Sequence, residues 1–145
     1  MFSQDFKEFV GLLIENQVEY LIVGGYAVGI HGHPWFTGDL DIWLKPSLEN
    51  AAKILKCINV FGFSSFALSA EDFTKEGNVV QLGDPPLRID LLTNIDGVAF
   101  DDCYPNRKIV EIDDLTINFI GYQDLLKNKK ASGRLRDLDD LENLQ

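Results

Sequence analysis

The segment that most constrains the fold of this chain is Asp39-Leu40-Asp41-Ile42, in which acidic and apolar residues alternate. A period of two is typical of a β-strand, where successive side chains point to opposite faces of the sheet. Asp39 and Asp41 are therefore predicted to project from one face, with Leu40 and Ile42 on the other. Two neighbouring carboxylates repel each other unless a positive group lies between them. Mg²⁺ fits that role because it prefers oxygen ligands and is commonly shared with phosphates.

Length and composition predict one domain over residues 1–145. Of the 145 residues, 46% are hydrophobic, which is enough for a core and argues against disorder. The formal net charge of -10 disfavours bulk binding to nucleic acid. Cys57 and Cys103 form neither a metal-type pair nor a disulfide framework, which suits a reducing, cytoplasmic compartment. The longest apolar run, residues 21–30, is too short for a membrane span, and the acidic N-terminus is not a secretory signal.

Hydrophobic periodicity predicts a mixed α/β (α+β) arrangement. The predicted strands are residues 19–23, 40–44, 79–82, 87–92, 109–112 and 115–120, the last two forming a hairpin. The predicted helices are residues 3–17, residues 26–31, a segment from the N-cap Ser47 to about residue 59, and the segment from 122 onward with a break at Ser132-Gly133. Residues 60–78 are predicted to be irregular, with the phenylalanines from Phe61 to Phe66 in the core.

Several residues near the acidic strand suit a phosphate-bearing ligand. Gly24 and Gly25 lie where a predicted strand gives way to a helix, and without Cβ atoms their backbone lets a phosphate approach the first N–H groups of that helix. Thr37 offers a hydroxyl to a phosphate oxygen. Asp90 is a lone acid on the predicted strand 87–92. The glycine pair is also compatible with a simple strand-to-helix turn, and it does not belong to a G-x-G-x-x-G dinucleotide pattern.

Two basic residues near the C-terminus are a second candidate group. Lys130 and Arg134 are four residues apart, so on one continuous helix they share a face and can neutralise a triphosphate or hold a second substrate. Ion pairs with nearby acids such as Asp137 and Asp139 are the structural alternative.

The remaining polar residues are predicted to lie in loops. His31 and His33 flank a glycine before a proline, and the sequence presents no Cys or His set for zinc. Asp101-Asp102 and Asp113-Asp114 are interpreted as solvated acids in turns.

Together these motifs resemble the nucleotidyltransferase superfamily with the DNA polymerase β-type fold. The branch that looks most similar is the small bacterial group around the AbiEii-type toxins and related minimal nucleotidyltransferases. The matching segments are Val23-Gly24-Gly25-Tyr26-Ala27, His31-Gly32, Thr37-Gly38-Asp39-Leu40-Asp41, Arg88-Ile89-Asp90-Leu91-Leu92 and Lys130-Ala131-Ser132-Gly133-Arg134-Leu135-Arg136-Asp137.

The resemblance implies a minimal nucleotidyltransferase fold, a mixed β-sheet with helices packed against it. It implies transfer of a nucleoside monophosphate from a nucleoside triphosphate to a hydroxyl on a small molecule, a protein or an RNA end, with release of pyrophosphate. Asp39 and Asp41 would hold two Mg²⁺ ions, which Mn²⁺ can replace, and Asp90 would complete the site and help to deprotonate the acceptor. A protein partner or a second copy of the chain would complete the cleft.

One departure from the family pattern keeps an alternative open. Trp35 stands two residues before Thr37, where the branch usually has an arginine that contacts phosphate. The alternative is a catalytically degenerate member that binds a protein partner, as in a toxin–antitoxin pair, or a regulatory module that binds nucleotide.

Overall fold

The computed structural model describes residues 2–33, 38–62, 67–84 and 87–145. Its strands are β1 (Tyr20–Val23), β2 (Asp39–Leu44), β3 (Val79–Leu82), β4 (Arg88–Leu92), β5 (Lys108–Ile112) and β6 (Leu115–Phe119). Within the described residues these six strands form one sheet in the order β3-β4-β2-β1-β6-β5. The pairs β2–β4 and β1–β6 are parallel, and the other neighbouring pairs are antiparallel.

The helices connect and cover these strands. They are α1 (Gln4–Glu15), α2 (Gly24–Ile30), α3 (Leu48–Phe61), α4 (Phe100–Cys103), α5 (Tyr122–Ser132) and α6 (Leu135–Leu144), with short 3₁₀ turns at Ala70–Phe73 and Tyr104–Asn106. The predicted N-cap Ser47 is confirmed, because its hydroxyl accepts the backbone N–H of Asn50 at 3.2 Å. Gly62 ends α3 with a φ of 110°, a left-handed conformation that glycine adopts without strain.

The hydrophobic core surrounds the middle of the sheet. Every residue of β1 is buried, as expected for an inner strand covered on both faces. Helix α1 packs against α3 and β6, and its Phe6, Phe9 and Leu13 are fully buried at helical spacing. Burying each such side chain stabilises the fold by about 1.5–3 kcal/mol. The rigid sheet that results positions the acidic residues of β2 and β4.

The predicted mixed sheet with helices against it is confirmed, and each predicted strand is present with ends shifted by a residue or so. The break between the last two helices is confirmed at Gly133, whose φ is 65°. Helix α4 and the 3₁₀ turns were not predicted, because segments this short carry no periodic signal. The predicted helix 26–31 begins two residues earlier, at Gly24, because that glycine turns the chain directly from β1 into the helix.

Phe61 lies at the end of α3 and packs edge-on against Phe9, with ring centroids 5.2 Å apart, whereas Phe63 and Phe66 lie outside the described residues. Across those described residues, each helix is too short or too polar to cross a membrane.

Candidate active site

Three aspartates meet on adjacent parallel strands, as the acidic pattern predicts. In the register between β2 and β4, Asp39 is opposite Arg88 and Asp41 is opposite Asp90. Because residues two apart on a strand share a face, all four side chains project from the same side of the sheet. Leu40 and Ile42, on the other side of β2, are completely buried in the core. We call Asp39, Asp41, Asp90 and Arg88 the strand cluster.

Arg88 is the member of this cluster to which sequence reasoning gave no role. Its Nε and Nη2 donate to the two carboxylate oxygens of Asp90 at 2.8 and 3.1 Å, and Nη2 also donates to Asp39 Oδ2 at 3.1 Å. Its position two residues before Asp90 showed that the two share a face. Only the strand register shows that Arg88 also reaches Asp39, 49 residues away.

The strand cluster carries an excess of negative charge. Burial raises the pKa of Asp41 to about 7, and the charges of Asp90 and Asp39 reinforce the shift while Arg88 opposes it. Asp41 therefore holds a proton over part of the physiological pH range when no other positive group is present. Three carboxylates that face each other against one guanidinium are a donor set that fits Mg²⁺, which takes oxygen ligands.

Gly24 makes room for the most strongly perturbed of these carboxylates. A Cβ at position 24 would lie 2.1 Å from Asp41 Oδ2, and the φ of Gly24 is +68°. A side chain there would both collide with the Asp41 carboxylate and strain the backbone. Gly25 follows in the first turn of α2. The glycine pair was predicted to admit a phosphate, and the observed contact shows that Gly24 also admits the Asp41 side chain.

Lys130 and Arg134 do not share a helical face, so that part of the prediction is wrong. Helix α5 ends at Ser132, Gly133 adopts a left-handed conformation, and Arg134 is the N-cap residue of α6. Lys130 is exposed and, within the part of the chain that the structure describes, forms no ion pair. The predicted pairing with Asp137 is confirmed for Arg134, whose Nε donates to Asp137 Oδ2 at 2.6 Å.

The buried cation of this region is Lys129, which sequence reasoning missed. Its Nζ lies 3.1 Å from Asp137 Oδ1 and 3.2 Å from Asp140 Oδ2, and all three side chains are almost fully buried. Burial of Asp137 opposes its ionisation, but hydrogen bonds from Arg134 and Lys129 outweigh that effect and lower its pKa. We call Lys129, Arg134, Asp137 and Asp140 the helix cluster. A sequence signal existed, since polar residues occupy the inward positions of α6.

The helix cluster is electrostatically connected to the strand cluster. The pKa of Arg134 is raised, first by its hydrogen bond to Asp137 and, among smaller causes, by the charge of Asp41. The charge of Asp41 on β2 therefore makes a small contribution at Arg134, the predicted nucleotide ligand, which stays mostly exposed. Thr37, the other predicted phosphate contact, and Trp35 lie outside the described residues.

The two histidines follow α2, where loop residues were predicted. His31 Nε2 lies 2.7 Å from the carbonyl oxygen of Ile120. His33 lies near the C-terminal helix, and one ligating atom from each of His33, Asp139 and Asp140 lies within 4.8 Å of those of the other two. The sequence gave no sign of this group, because His33 is more than 100 residues from the two aspartates.

The fold and its family place the protein in the nucleotidyltransferase class of enzymes. Residues 2–145 match the family described as "Nucleotidyl transferase of unknown function (DUF2204)", and the chain belongs to that family. The predicted superfamily is thereby confirmed. No curated protein matches the sequence significantly.

Solved structures with the same fold have little sequence in common with this chain. The candidate nucleotidyltransferase TM1012 from Thermotoga maritima has 16% identity and a TM-score of 0.65, over 94% of this chain and 88% of its own. The lincosamide antibiotic adenylyltransferase LnuA, with lincomycin bound, has 13% identity and a TM-score of 0.57, over 99% and 96%. An antigenic nucleotidyltransferase-like protein from Paracoccidioides brasiliensis has 16% identity and a TM-score of 0.56, over 97% and 74%.

Proposed function

We propose that this protein transfers a nucleoside monophosphate from a nucleoside triphosphate to a hydroxyl group, in a reaction that depends on Mg²⁺. The observation that carries the proposal is the register of β2 and β4, which brings Asp39, Asp41 and Asp90 to one face next to Gly24. In the transfer, the acceptor oxygen forms a bond to the α-phosphorus. The bond from that phosphorus to the β-phosphate bridging oxygen breaks, and pyrophosphate leaves with the electron pair.

Asp39, Asp41 and Asp90 would hold two Mg²⁺ ions, which supply Lewis-acid charge neutralisation for the phosphates and the acceptor oxygen. Of the two carboxylates that Arg88 contacts, that of Asp39 is the more exposed. The exposed fraction of the side chain is 39% for Asp39 and 11% for Asp90. Asp39 is thus suited to the side from which a triphosphate enters. Asp90, deeper in the site, is suited to receive the proton of the acceptor hydroxyl.

The remaining residues would bind and orient the nucleotide. Gly24 and Gly25 place backbone N–H groups at the start of α2, where a phosphate can approach closely. Arg134, exposed and directed by its contact with Asp137, would contact the triphosphate. Lys130 and Thr37 are proposed as weaker phosphate contacts. Arg88, which lies beside Asp39 and Asp90, would contact phosphate oxygens through its guanidinium.

The proposed acceptor is a small molecule with a hydroxyl group. The fold shared with LnuA, an enzyme that acts on an antibiotic, supports an acceptor of this size. The net charge of -10 disfavours an RNA acceptor, because phosphate backbones are repelled. The free, buried thiols of Cys57 and Cys103 support a reducing, cytoplasmic location.

Thermal unfolding with each of the four nucleoside triphosphates, with and without Mg²⁺, tests the site. A ligand that binds only the folded state stabilises it by about 2.7 kcal/mol at a hundredfold excess over its dissociation constant. We expect one triphosphate to raise the melting temperature only with Mg²⁺. Asp39→Asn and Asp41→Asn should abolish that shift and lower pyrophosphate release by about 100-fold or more.

The matched control is Asp114→Asn. Asp114 lies in the β5–β6 turn with a φ of 69°, a conformation that asparagine tolerates, and it belongs to neither cluster. It should keep the full nucleotide shift. Equal pyrophosphate release by wild type, Asp39→Asn and Asp41→Asn would overturn the proposal.

Nucleotide binding without transfer is the second candidate function. The observation that favours it is Arg88, whose guanidinium forms ion pairs with both Asp39 and Asp90 and so competes with a cation for these carboxylates. This function predicts a triphosphate-induced shift in melting temperature that is independent of Mg²⁺, with no pyrophosphate release for any hydroxyl acceptor. Co-purification of a tightly bound protein, without any nucleotide-induced shift, would instead indicate a partner-binding role.

A further inference from the structure

We propose a second cation site, separate from the strand cluster, formed by His33, Asp139 and Asp140. One ligating atom from each residue lies within 4.8 Å of those of the other two. Three ligands from one imidazole and two carboxylates, with positions left for water, are a donor set typical of Zn²⁺ and related transition metals. The site would join the turn that follows α2 to α6. It does not depend on the proposed transferase function.

The contact between His33 and Asp140 is the observation that points to a ligand. Nε2 of His33 lies 3.9 Å from Oδ1 of Asp140, which is too long for a hydrogen bond. Only 2% of the Asp140 side chain is exposed, and its other carboxylate oxygen, Oδ2, is buried without a hydrogen-bond partner among the described residues. Two ligands of one tetrahedral zinc ion lie about 3.3 Å apart, given metal–ligand distances of about 2.0–2.1 Å. A small rotation of either side chain closes that difference.

Lys129 holds the buried carboxylate in the orientation that such a site needs. Its ammonium lies 3.2 Å from Asp140 Oδ2, so that Oδ1 is directed toward His33. Residues outside the ligand set commonly orient metal-ligating carboxylates, and Lys129 acts here through its charge. Asp139 is exposed at the surface and provides the third ligand from a side chain that can move at little cost. Zn²⁺ is favoured over Mg²⁺ because Mg²⁺ strongly prefers oxygen ligands and this site contains an imidazole.

The site can be tested in the full chain carrying Asp39→Asn and Asp41→Asn, which removes ligands of the strand cluster. Calorimetric titration with ZnCl₂ should show one ion per chain, and ZnCl₂ should raise the melting temperature where MgCl₂ does not. Adding Asp139→Asn or His33→Gln should weaken zinc binding by at least about tenfold, since even partners outside the ligand set are worth that much. If the double variant folds poorly, wild-type protein can be titrated with ZnCl₂ in excess MgCl₂ instead. It should also bind one zinc ion per chain.

Glu142→Gln is the control on the same helix. Glu142 is exposed on α6 and is not among the residues that group around His33. It should bind Zn²⁺ as the parent does. No zinc binding by the parent protein would overturn the proposed site, and so would zinc binding that survives both Asp139→Asn and His33→Gln. Neither result would affect the nucleotide experiment, which reads out Mg²⁺ and triphosphate at the strand cluster.

Discussion

The strand cluster and the helix cluster are both built from aspartates and basic residues, but their charge balance differs. The strand cluster places three carboxylates around Arg88, and burial with like charges raises the pKa of Asp41 to about 7. The helix cluster matches Asp137 and Asp140 with Lys129 and Arg134, and the pKa of Asp137 is lowered. The environment therefore favours the protonated form of Asp41 in the strand cluster and the ionised form of Asp137 in the helix cluster.

This difference separates a group of carboxylates with excess negative charge from a group in which basic residues balance the carboxylates. A carboxylate whose pKa is raised by burial and like charges is stabilised when a cation binds beside it. Until a cation binds, the same unfavourable environment lowers the stability of the fold. A buried ion pair whose charges are matched holds neighbouring elements in one arrangement, and loss of one member leaves an uncompensated charge. The helix cluster fixes α6 against α5 in this way, and Tyr122 reinforces it by donating a hydrogen bond to the carbonyl of Leu144.

The largest expected effect is the loss of the buried cation in the helix cluster. Lys129→Met should lower the free energy of unfolding by about 3–5 kcal/mol, because Asp137 and Asp140 would remain buried without it. Urea unfolding at neutral pH measures the loss through the transition midpoint at constant slope. The neighbouring Lys130→Met, at an exposed position, should change the free energy by no more than about 0.5 kcal/mol.

A combined variant shows whether the loss is electrostatic. Lys129→Met together with Asp137→Asn and Asp140→Asn removes the uncompensated charges and should recover part of the stability that the single variant loses. If the triple variant is less stable than Lys129→Met, the two carboxylates do not depend on Lys129. The contrast between the two clusters would then be wrong.

Much of the fold could be predicted because it depends on local pattern. The alternation at Asp39–Leu44 fixed β2 and its two faces, and the spacing of Phe6, Phe9 and Leu13 fixed α1. The Ser132-Gly133 break was visible because glycine favours a left-handed helix end. Helix α4 was missed because four residues are fewer than the pattern needs.

The candidate site was predictable only where it follows from periodicity. Asp39 and Asp41 share a face because they are two residues apart, but the contact of Arg88 with Asp39 depends on strand register, which no single segment encodes. Lys130 was preferred to Lys129 because it is four residues from Arg134 and matches the lysine of the family pattern, although a shared face would require a helix that continues across Gly133. The break rotates the chain, so that the buried lysine is the one that meets Asp137.

A smaller effect is expected when a methyl group is added beside the strand cluster. Gly24→Ala should cost about 2–4 kcal/mol, from the left-handed backbone and from the contact of 2.1 Å with Asp41 Oδ2. Gly29→Ala in the same helix is the control, since nothing lies within 4 Å of its Cβ, and it should be neutral or stabilising. In an Asp41→Ala background the cost of Gly24→Ala should fall toward the backbone contribution alone, about 1–2 kcal/mol. An unchanged cost there would show that the carboxylate does not require the glycine.

The smallest expected effect is a gain in stability when one charge of the strand cluster is removed. Asp41 has a folded-state pKa of about 7. An unfolded aspartate has a pKa of about 3.9, so the folded protein retains a proton between these values that the unfolded chain has lost. Stability therefore falls as pH rises through this window, and the full penalty is present above pH 7.

Without divalent cations, Asp41→Asn should raise the free energy of unfolding by about 1–3 kcal/mol at pH 8 and change it little at pH 4. Its amide can donate to Asp90, as the protonated carboxyl does. Urea unfolding at both pH values, with Asp114→Asn as the control for lost charge, measures the difference. If Asp41→Asn and Asp114→Asn change the free energy of unfolding equally at pH 8, the ionised Asp41 destabilises the fold no more than an aspartate in a surface turn does.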